Sequence, residues 1–336
     1  MIPAFALFRL PGKKEYVEIR QNDGGVHKLS SYSELSGKRG FVIAPFAITA
    51  ECPLMIITPD VVCRQPVPEV CIESSCDNNF TKEKEAYIAD FNKFHHSLTD
   101  GTFQKIVLSR NSEAERRGST TDKEIFLKAC NLYPDMFVAL VSAPECGTWL
   151  MSTPEILIKG NGSEWHTMAL AGTMRNCADV QWSEKNIREQ KYVEDYISSS
   201  LSPYVSAIDV KGPYTSHAGN LIHLRSDFTF TLKHADHVGD VINCLHPTPA
   251  VCGLPKKETL SFILNTEHSK RLYYSGFTGM LDADGETNLF VSLRCMNITP
   301  ERFRLYAGGG LLDASTAEKE WLETEAKMET MKRCII

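Results

Sequence analysis

Residues 304–331 read RLYAGGGLLDASTAEKEWLETEAKMETM, and the rest of the chain is organised around this stretch. A strand-like run from Arg304 to Ala307 passes into Gly308, Gly309 and Gly310, and a helix follows. Ser315 with Glu318 three residues on has the spacing of a capping box, so the helix is expected to open near Thr316. At about 100° per residue, Glu320, Glu323 and Lys327 then share one helix face. Two carboxylates and an ammonium behind a glycine loop form a candidate pocket for a metal ion and an anionic substrate. The amides of Gly308 to Gly310 would serve as anion donors. Taken alone, a solvated helix face laced with ion pairs is the commoner outcome of such spacing.

Composition narrows the class. The 336 residues allow one large domain or two ordinary ones. Hydrophobic residues make up 43% and charged residues 23%, as in soluble globular proteins. A net charge of −6 argues against a nucleic-acid or lipid-headgroup surface. No apolar run approaches the roughly 20 residues that a membrane span needs. The apolar N-terminal stretch has no basic region ahead of it, so a signal peptide is not expected. Eleven cysteines, an odd number without CxxC or zinc-like spacing, fit reduced, mostly buried thiols and a cytoplasmic setting.

Residues 1–80 carry a hairpin signal at Asn22-Asp23-Gly24-Gly25, a buried-strand run at 40–46 and a proline-bearing connector at 53–79. They are expected to complete a sheet. Tyr87, Phe91, Phe94 and Leu98 recur at helical spacing and predict a helix over 81–98. In the strand after it, FQKIVLSR at 103–110, period two puts Lys105 on one face with Phe103, Val107 and Ser109. Losing water disfavours an ammonium, so a lysine on a buried strand face is a candidate base; on an edge strand it would only blunt aggregation. Further helices are expected over 121–132, 183–197, 236–245 and 255–265. Strands are expected over 136–142, 165–175 and 221–224, and 148–159 reads as a strand-rich region. A hairpin turn at 282–285 joins 275–280 to one long strand, 288–298.

Several residues in these elements are out of place for a plain core. Glu155 follows a proline in an apolar, strand-rich region; burial raises a carboxyl's pKa and makes it a candidate general acid, whereas a turn would point it at water. Glu189 shares a helix stripe with Asn186, Val193 and Tyr196, so its carboxylate needs a cation, either a salt-bridge partner or a metal. Arg294 falls on one strand face with Phe290, Ser292 and Met296, and an inward arginine suits bidentate capture of a carboxylate. Together they describe a small polyanionic substrate, a hard cation such as Mg²⁺ held by oxygen, and a step with proton transfer.

The blocks FQKIVLSR, TPEILIK, LAGT, SEKNIRE, LHPTPAVCGLP, YYSGFTGMLDADGE, LFVSLRC and AGGGLLDASTAEKEWLETEAKM stand in this order. Through them the chain resembles the chorismate-utilising enzymes, and within them the isochorismate synthases of menaquinone and siderophore pathways. The resemblance implies an α+β fold of the anthranilate synthase component I type: two large, mostly antiparallel sheets packed together, with helices outside. Residues 81–332 would be the chorismate-binding core and 1–80 would complete the sheets of one structural domain.

By the same resemblance, Lys105 is the general base that activates water for attack at C2 of chorismate, and Glu155 protonates the departing C4 hydroxyl. Glu189 and Glu323 are Mg²⁺ ligands, with Glu320 contributing nearby. Arg294 and Lys327, with backbone around Gly172, Gly309 and Gly310, hold the substrate's carboxylates; His246 and Thr173 line the same pocket. Aminodeoxychorismate synthases of the family place a nucleophilic lysine where Ala171 stands, and anthranilate synthases a glutamine where Lys105 stands. Lysine at 105 with alanine at 171 therefore implies water as the nucleophile, an isomerase, and no glutamine amidotransferase subunit. The family implies a monomer. Asn186 replaces an acidic residue of close relatives near the metal, which implies weaker Mg²⁺ binding. A salicylate synthase, which goes on to eliminate pyruvate, would use the same groups. A silent chorismate-binding relative would not be expected to keep Lys105, Glu155, Glu189 and Glu323 together.

Overall fold

Eighteen strands and six helices form among the residues described by the computed structural model, 4–22, 26–176, 180–219, 221–282 and 284–336. The chain opens with β1 (Ala4–Arg9), β2 (Glu15–Gln21), β3 (His27–Leu29), β4 (Arg39–Ala44), β5 (Leu54–Ile57) and β6 (Val61–Pro66). Then come α1 (Lys84–Thr99), β7 (Lys105–Glu115), α2 (Asp122–Leu132), β8 (Phe137–Ala143), β9 (Gly147–Thr153), β10 (Ile156–Asn161) and β11 (Glu164–Arg175). Next are α3 (Glu184–Leu201), β12 (Val205–Ala218), β13 (Leu221–Leu232), α4 (Val238–Leu245), β14 (Gly253–Leu254) and α5 (Lys256–Thr266). The chain closes with β15 (Phe277–Asp282), β16 (Thr287–Val291), β17 (Cys295–Ile298), β18 (Arg302–Leu311) and α6 (Ala317–Ile335).

The strands make two antiparallel nine-stranded sheets. One runs β14-β7-β18-β17-β9-β8-β1-β2-β6 and the other β12-β13-β11-β10-β16-β15-β4-β5-β3. They face each other across a shared apolar layer. Phe137 of β8 stacks on Phe290 of β16 at 4.2 Å, and Phe8 of β1 meets Phe41 of β4 at 5.3 Å. Outside, α2 and α6 bury Ile125, Phe126, Met328 and Met331 on the first sheet. On the second sheet α3 and α4 bury Val193, Ile197, Val241 and Ile242. This is the α+β architecture read from the sequence. The helix of 81–98 buries Tyr87, Phe91, Phe94 and Leu98, the four residues its period selected. No helix among the described residues is long and apolar enough to cross a membrane.

The chain passes between the sheets at two points that matter. Pro154 and Glu155 carry it from β9 to β10, and Ser292 to Arg294 return it from β16 to β17. The two crossings are tied together: Val291 N–H donates to the carbonyl of Glu155 at 2.9 Å, and Ser152 N–H to that of Arg294 at 3.1 Å.

The structure corrects four expectations. The single strand over 288–298 is two, in different sheets, and Arg294 sits in the break with φ of 45°. The run Gly308–Gly310 is not a loop; it continues β18 in register with Ser109, Leu108 and Val107 of β7. Ser315 does not cap α6. Its hydroxyl accepts from Leu312 N–H at 3.1 Å, closing the turn before the helix, and Thr316 is the N-cap without a side-chain bond. The short strand at 221–224 is the start of β13, paired along its length with β12. β12 escaped notice because it is exposed over most of its length and shows no alternation. Of the turn signal at 22–25, residues 23–25 lie outside the described residues.

Gln190 of α3 fastens the helix to β11 near the site. Its side chain accepts from Ala171 N–H at 2.9 Å and donates to the Ala169 carbonyl and the Ser226 hydroxyl, each at 3.1 Å. Gln190→Ala leaves buried backbone groups unpaired. It should lower stability by about 2–3 kcal/mol, read as a reduced urea midpoint at unchanged slope.

Candidate active site

Three elements converge from different parts of the sequence. β7 brings Lys105 from the first sheet, α3 brings Glu189 across the second, and α6 lays Glu320, Glu323 and Lys327 over the end of β18. The α3 register is set by Ser183, whose hydroxyl accepts from Asn186 N–H at 3.3 Å. Beyond Tyr306, which pairs with Cys295, β18 has no partner on its β17 side among the described residues, and the cavity opens there. Glu155, Thr173, Glu189, Arg294, Lys327 and the glycines at 172, 308 and 310 all line it.

The glycines of β18 are there for space, since none of the three has a left-handed φ. A Cβ on Gly310 would stand 2.0 Å from Glu189 Oε1 and 3.0 Å from Lys105 Cε. On Gly309 it would stand 3.0 Å from Glu320 Oε2 and 3.6 Å from Glu323 Oε1. On Gly308 it would meet the Tyr274 hydroxyl at 2.9 Å. Two of these bare positions, Gly309 and Gly310, let three carboxylates close on one strand.

Lys105 has no exposed surface and lies one layer behind the cavity wall. Its Nζ is 3.1 Å from Glu189 Oε1, yet the angle is not that of a hydrogen bond, and the ammonium has no hydrogen-bond partner among the described residues. Burial pushes the Glu189 carboxyl's pKa up, but Lys105 and Lys185 outweigh it, and the net shift is downward. Glu189 is an anion here.

Glu155 behaves oppositely. It is 3% exposed, and burial drives its pKa to about 7 against the pull of Lys105, Arg294 and Lys327. The crossing between sheets has put this carboxyl inside and not toward water. It holds a proton near neutrality, as a general acid must.

Arg294 points inward as its chemistry suggested, though the left-handed backbone at the crossing turns it there rather than strand alternation. Its Nη2 donates to His223 Nε2 at 3.1 Å, which leaves Nδ1–H to donate to the Gly172 carbonyl at 3.0 Å. Burial, then Arg294 and Lys327, hold that imidazole well below its usual pKa, so it stays neutral. Thr173 adds its hydroxyl 3.3 Å from the same Nδ1. Gly172 needs its φ of 65°, and a Cβ there would meet Asn186 Cβ at 3.1 Å.

Sequence reasoning gave His223 no role, although a histidine in the apolar run Leu221-Ile222-His223-Leu224 was the available signal. It also passed over Lys185, whose ammonium meets Glu320 Oε1 at 2.5 Å. His246, by contrast, does not line the cavity. Its ring stands edge-on to Tyr32 and Phe277 and bonds the Pro45 carbonyl, and burial with Lys256 nearby lowers its pKa to about 3. That histidine is core, and Ala250 and Val251 of its loop reach the cavity instead.

The residues present suit a hard divalent cation. All three donors are carboxylates, Glu320 and Glu323 beside the space left by Gly309 and Glu189 beside that left by Gly310, and Glu320 Oε2 is buried without a hydrogen-bond partner among the described residues. Lysines stand between them, so among the described residues no three acidic, histidine or cysteine side chains yet share one point.

The chain matches the family described as chorismate binding enzyme over residues 64–336. It is 30% identical over 256 residues to the isochorismate synthase DhbC of Bacillus subtilis, covering 71% of this chain and 64% of that protein. It is likewise 30% identical over 244 residues to the isochorismate synthase MenF of Escherichia coli, covering 69% of this chain and 56% of that protein. The matched region thus spans less than two thirds of the length of these curated relatives. A crystal structure of DhbC from Bacillus anthracis superposes with a TM-score of 0.87 at 22% identity, covering 99% of this chain and 96% of that one. The family match takes in Lys105, Glu155, Glu189, Glu320 and Glu323 together, and the chain is a member of the chorismate binding enzyme family.

Proposed function

We propose that the chain is an isochorismate synthase that rearranges chorismate to isochorismate with Mg²⁺ as cofactor. The observation that carries the reading is the opposed pair at one site: Glu155 keeps a proton to about pH 7, while the Lys105 amine lies within the field of the same cavity. Water adds to C2 of the ring and gives a proton to Lys105. The ring double bonds shift, the C4–O bond breaks, and the leaving hydroxyl takes the proton of Glu155 and departs as water. One water enters and one leaves, so the net change is an isomerisation.

Arg294 and Lys327 face the cavity as the cations for the substrate's carboxylates, and His223 fixes the guanidinium. Glu189, Glu323 and Glu320 would hold the Mg²⁺, which when bound would neutralise the ring carboxylate of chorismate. To act as base Lys105 must first give up a proton to solvent, leaving the neutral amine, and turn from Glu189 to a water.

Incubating the purified protein with chorismate and Mg²⁺ and separating the products tests the reading: isochorismate is expected. Salicylate with pyruvate as main products would instead make it a salicylate synthase, and unchanged chorismate a binding protein. Lys105→Ala should cut turnover by about 10²–10⁴-fold while chorismate binding persists in calorimetry.

Glu155 makes a pH prediction with two readouts. As pH rises above about 7 the acid loses the proton it must donate, so kcat/KM should fall. Glu155→Gln should lose about 10²–10⁴-fold in rate together with that alkaline limb. For stability, the folded state keeps the proton between the ordinary carboxyl value of 4.5 and about 7, where the unfolded chain has released it. Stability therefore falls as pH rises through this window, by about 3 kcal/mol, and Glu155→Gln should flatten the slope in melts recorded from pH 4 to about 8.

A further inference from the structure

Each carboxylate assigned to the cation is already held by a lysine of this chain. Glu189 Oε1 is 3.1 Å from Lys105, Glu320 Oε1 is 2.5 Å from Lys185, and Glu323 Oε1 is 2.6 Å from Lys327. Lys105 is fully buried in β7, and Lys327 also donates to the Gly308 carbonyl at 2.8 Å.

Lys185 is different. It rises from the first turn of α3 and crosses to α6, with its side chain 20% exposed in an outer cleft. That cleft adjoins the cavity at Thr173 and is floored by Glu320 and Glu323. Its hold on Glu320 is one-sided. Oε1 takes the ammonium, while Oε2 is fully buried and has no hydrogen-bond partner among the described residues. The unpartnered oxygen is turned toward the space above Gly309, which Glu323 Oε1 also approaches. A buried carboxylate left with an idle oxygen beside a second carboxylate is a costly arrangement, and a divalent ion relieves it more completely than one ammonium can.

We propose that Lys185 is a built-in competitor for the divalent cation: its ammonium occupies Glu320 in the metal-free protein and moves out into the cleft when an ion takes Glu320 and Glu323. The proposal rests on the Mg²⁺ reading given under Proposed function. The flexible four-carbon stem and the open cleft beside it give the displaced ammonium water to enter. The lysine thereby keeps the empty site neutral enough to stay folded, at the expense of affinity for the ion.

Titrating Mg²⁺ alone into the full chain by calorimetry tests this. The wild type should bind one ion. Lys185→Gln and, as a second variant, Lys185→Met should bind it about tenfold more tightly, because the apparent affinity no longer carries the displacement of the ammonium. Lys185→Arg, which keeps a cation on Glu320, should stay within about twofold of wild type. Lys319→Gln, at an exposed lysine of the same cleft with no carboxylate partner among the described residues, should do the same and controls for net charge. Melting curves supply a second readout: without metal Lys185→Gln should melt lower than wild type, and Mg²⁺ should raise its Tm by more.

Equal or weaker Mg²⁺ binding by Lys185→Gln and Lys185→Met, with one ion still bound by wild type, would overturn the competitor and leave the metal site standing. An equal tightening in Lys319→Gln would overturn it as well, reducing the effect to net charge. No binding to any of these proteins in the millimolar range would remove the metal site and the competitor together.

Discussion

A buried ammonium set against a buried carboxylate, Lys105 with Glu189 at 3.1 Å, is the contact on which the arrangement of this site depends. Either charge alone would be expensive: breaking such a pair by removing one partner costs about 3–5 kcal/mol. The two residues belong to different sheets' worth of structure, β7 in one and α3 packed on the other, so their approach fixes how the halves of the fold meet. The neighbouring residue Gln190 locks α3 to β11 through backbone groups, and Gly310 gives up its Cβ so that the Glu189 carboxylate has room. Packing, hydrogen bonding and charge thus specify one geometry at one place.

The two crossings between sheets explain why a rigid scaffold carries an acid and a guanidinium at its centre. Sheet interiors admit few charged groups, because every strand position is committed to a neighbour or to the apolar layer. At Pro154-Glu155 and at Ser292 to Arg294 the chain leaves both ladders, and each break exposes one polar side chain to the cavity. The breaks are not loose. They bond each other through Val291 and Ser152, and Arg294 pays for its aim with a left-handed backbone that a non-glycine residue adopts only where its surroundings impose it. Rigid placement of this kind is what positions a proton donor and an anion clamp for chemistry.

How much of this was legible in the sequence differed by kind of signal. Period alone found the helices and the shared face of Glu320, Glu323 and Lys327, because side-chain direction on a helix follows from spacing. It failed at Arg294, where alternation gave the correct inward direction for a wrong reason: the strand it assumed is broken. The glycine triplet shows a second limit. A glycine can serve a turn or clear space, and only coordinates distinguish Gly308–Gly310 in a strand from the loop their composition suggested. Ser315 and Glu318 have the spacing of a capping box, but the hydroxyl found a nearer amide at Leu312. His246 and His223 exchanged places for lack of long-range information. One is wedged between Tyr32 and Phe277, the other is recruited by an arginine 71 residues away.

In the proposed reaction, water as nucleophile agrees with what lines the cavity wall. An ammonia-using or amine-using relative needs a nitrogen nucleophile near the ring, and position 171 is where the family resemblance locates one. Here Ala171 supplies a methyl group to the wall and spends its N–H on Gln190. Of the two amines near the cavity, Lys327 is committed to Glu323 and the Gly308 carbonyl. Lys105 has no exposed surface and sits a layer behind the wall. On the reading proposed above, a base recessed in this way works through a small molecule between it and the substrate, and water is the one that solvent supplies.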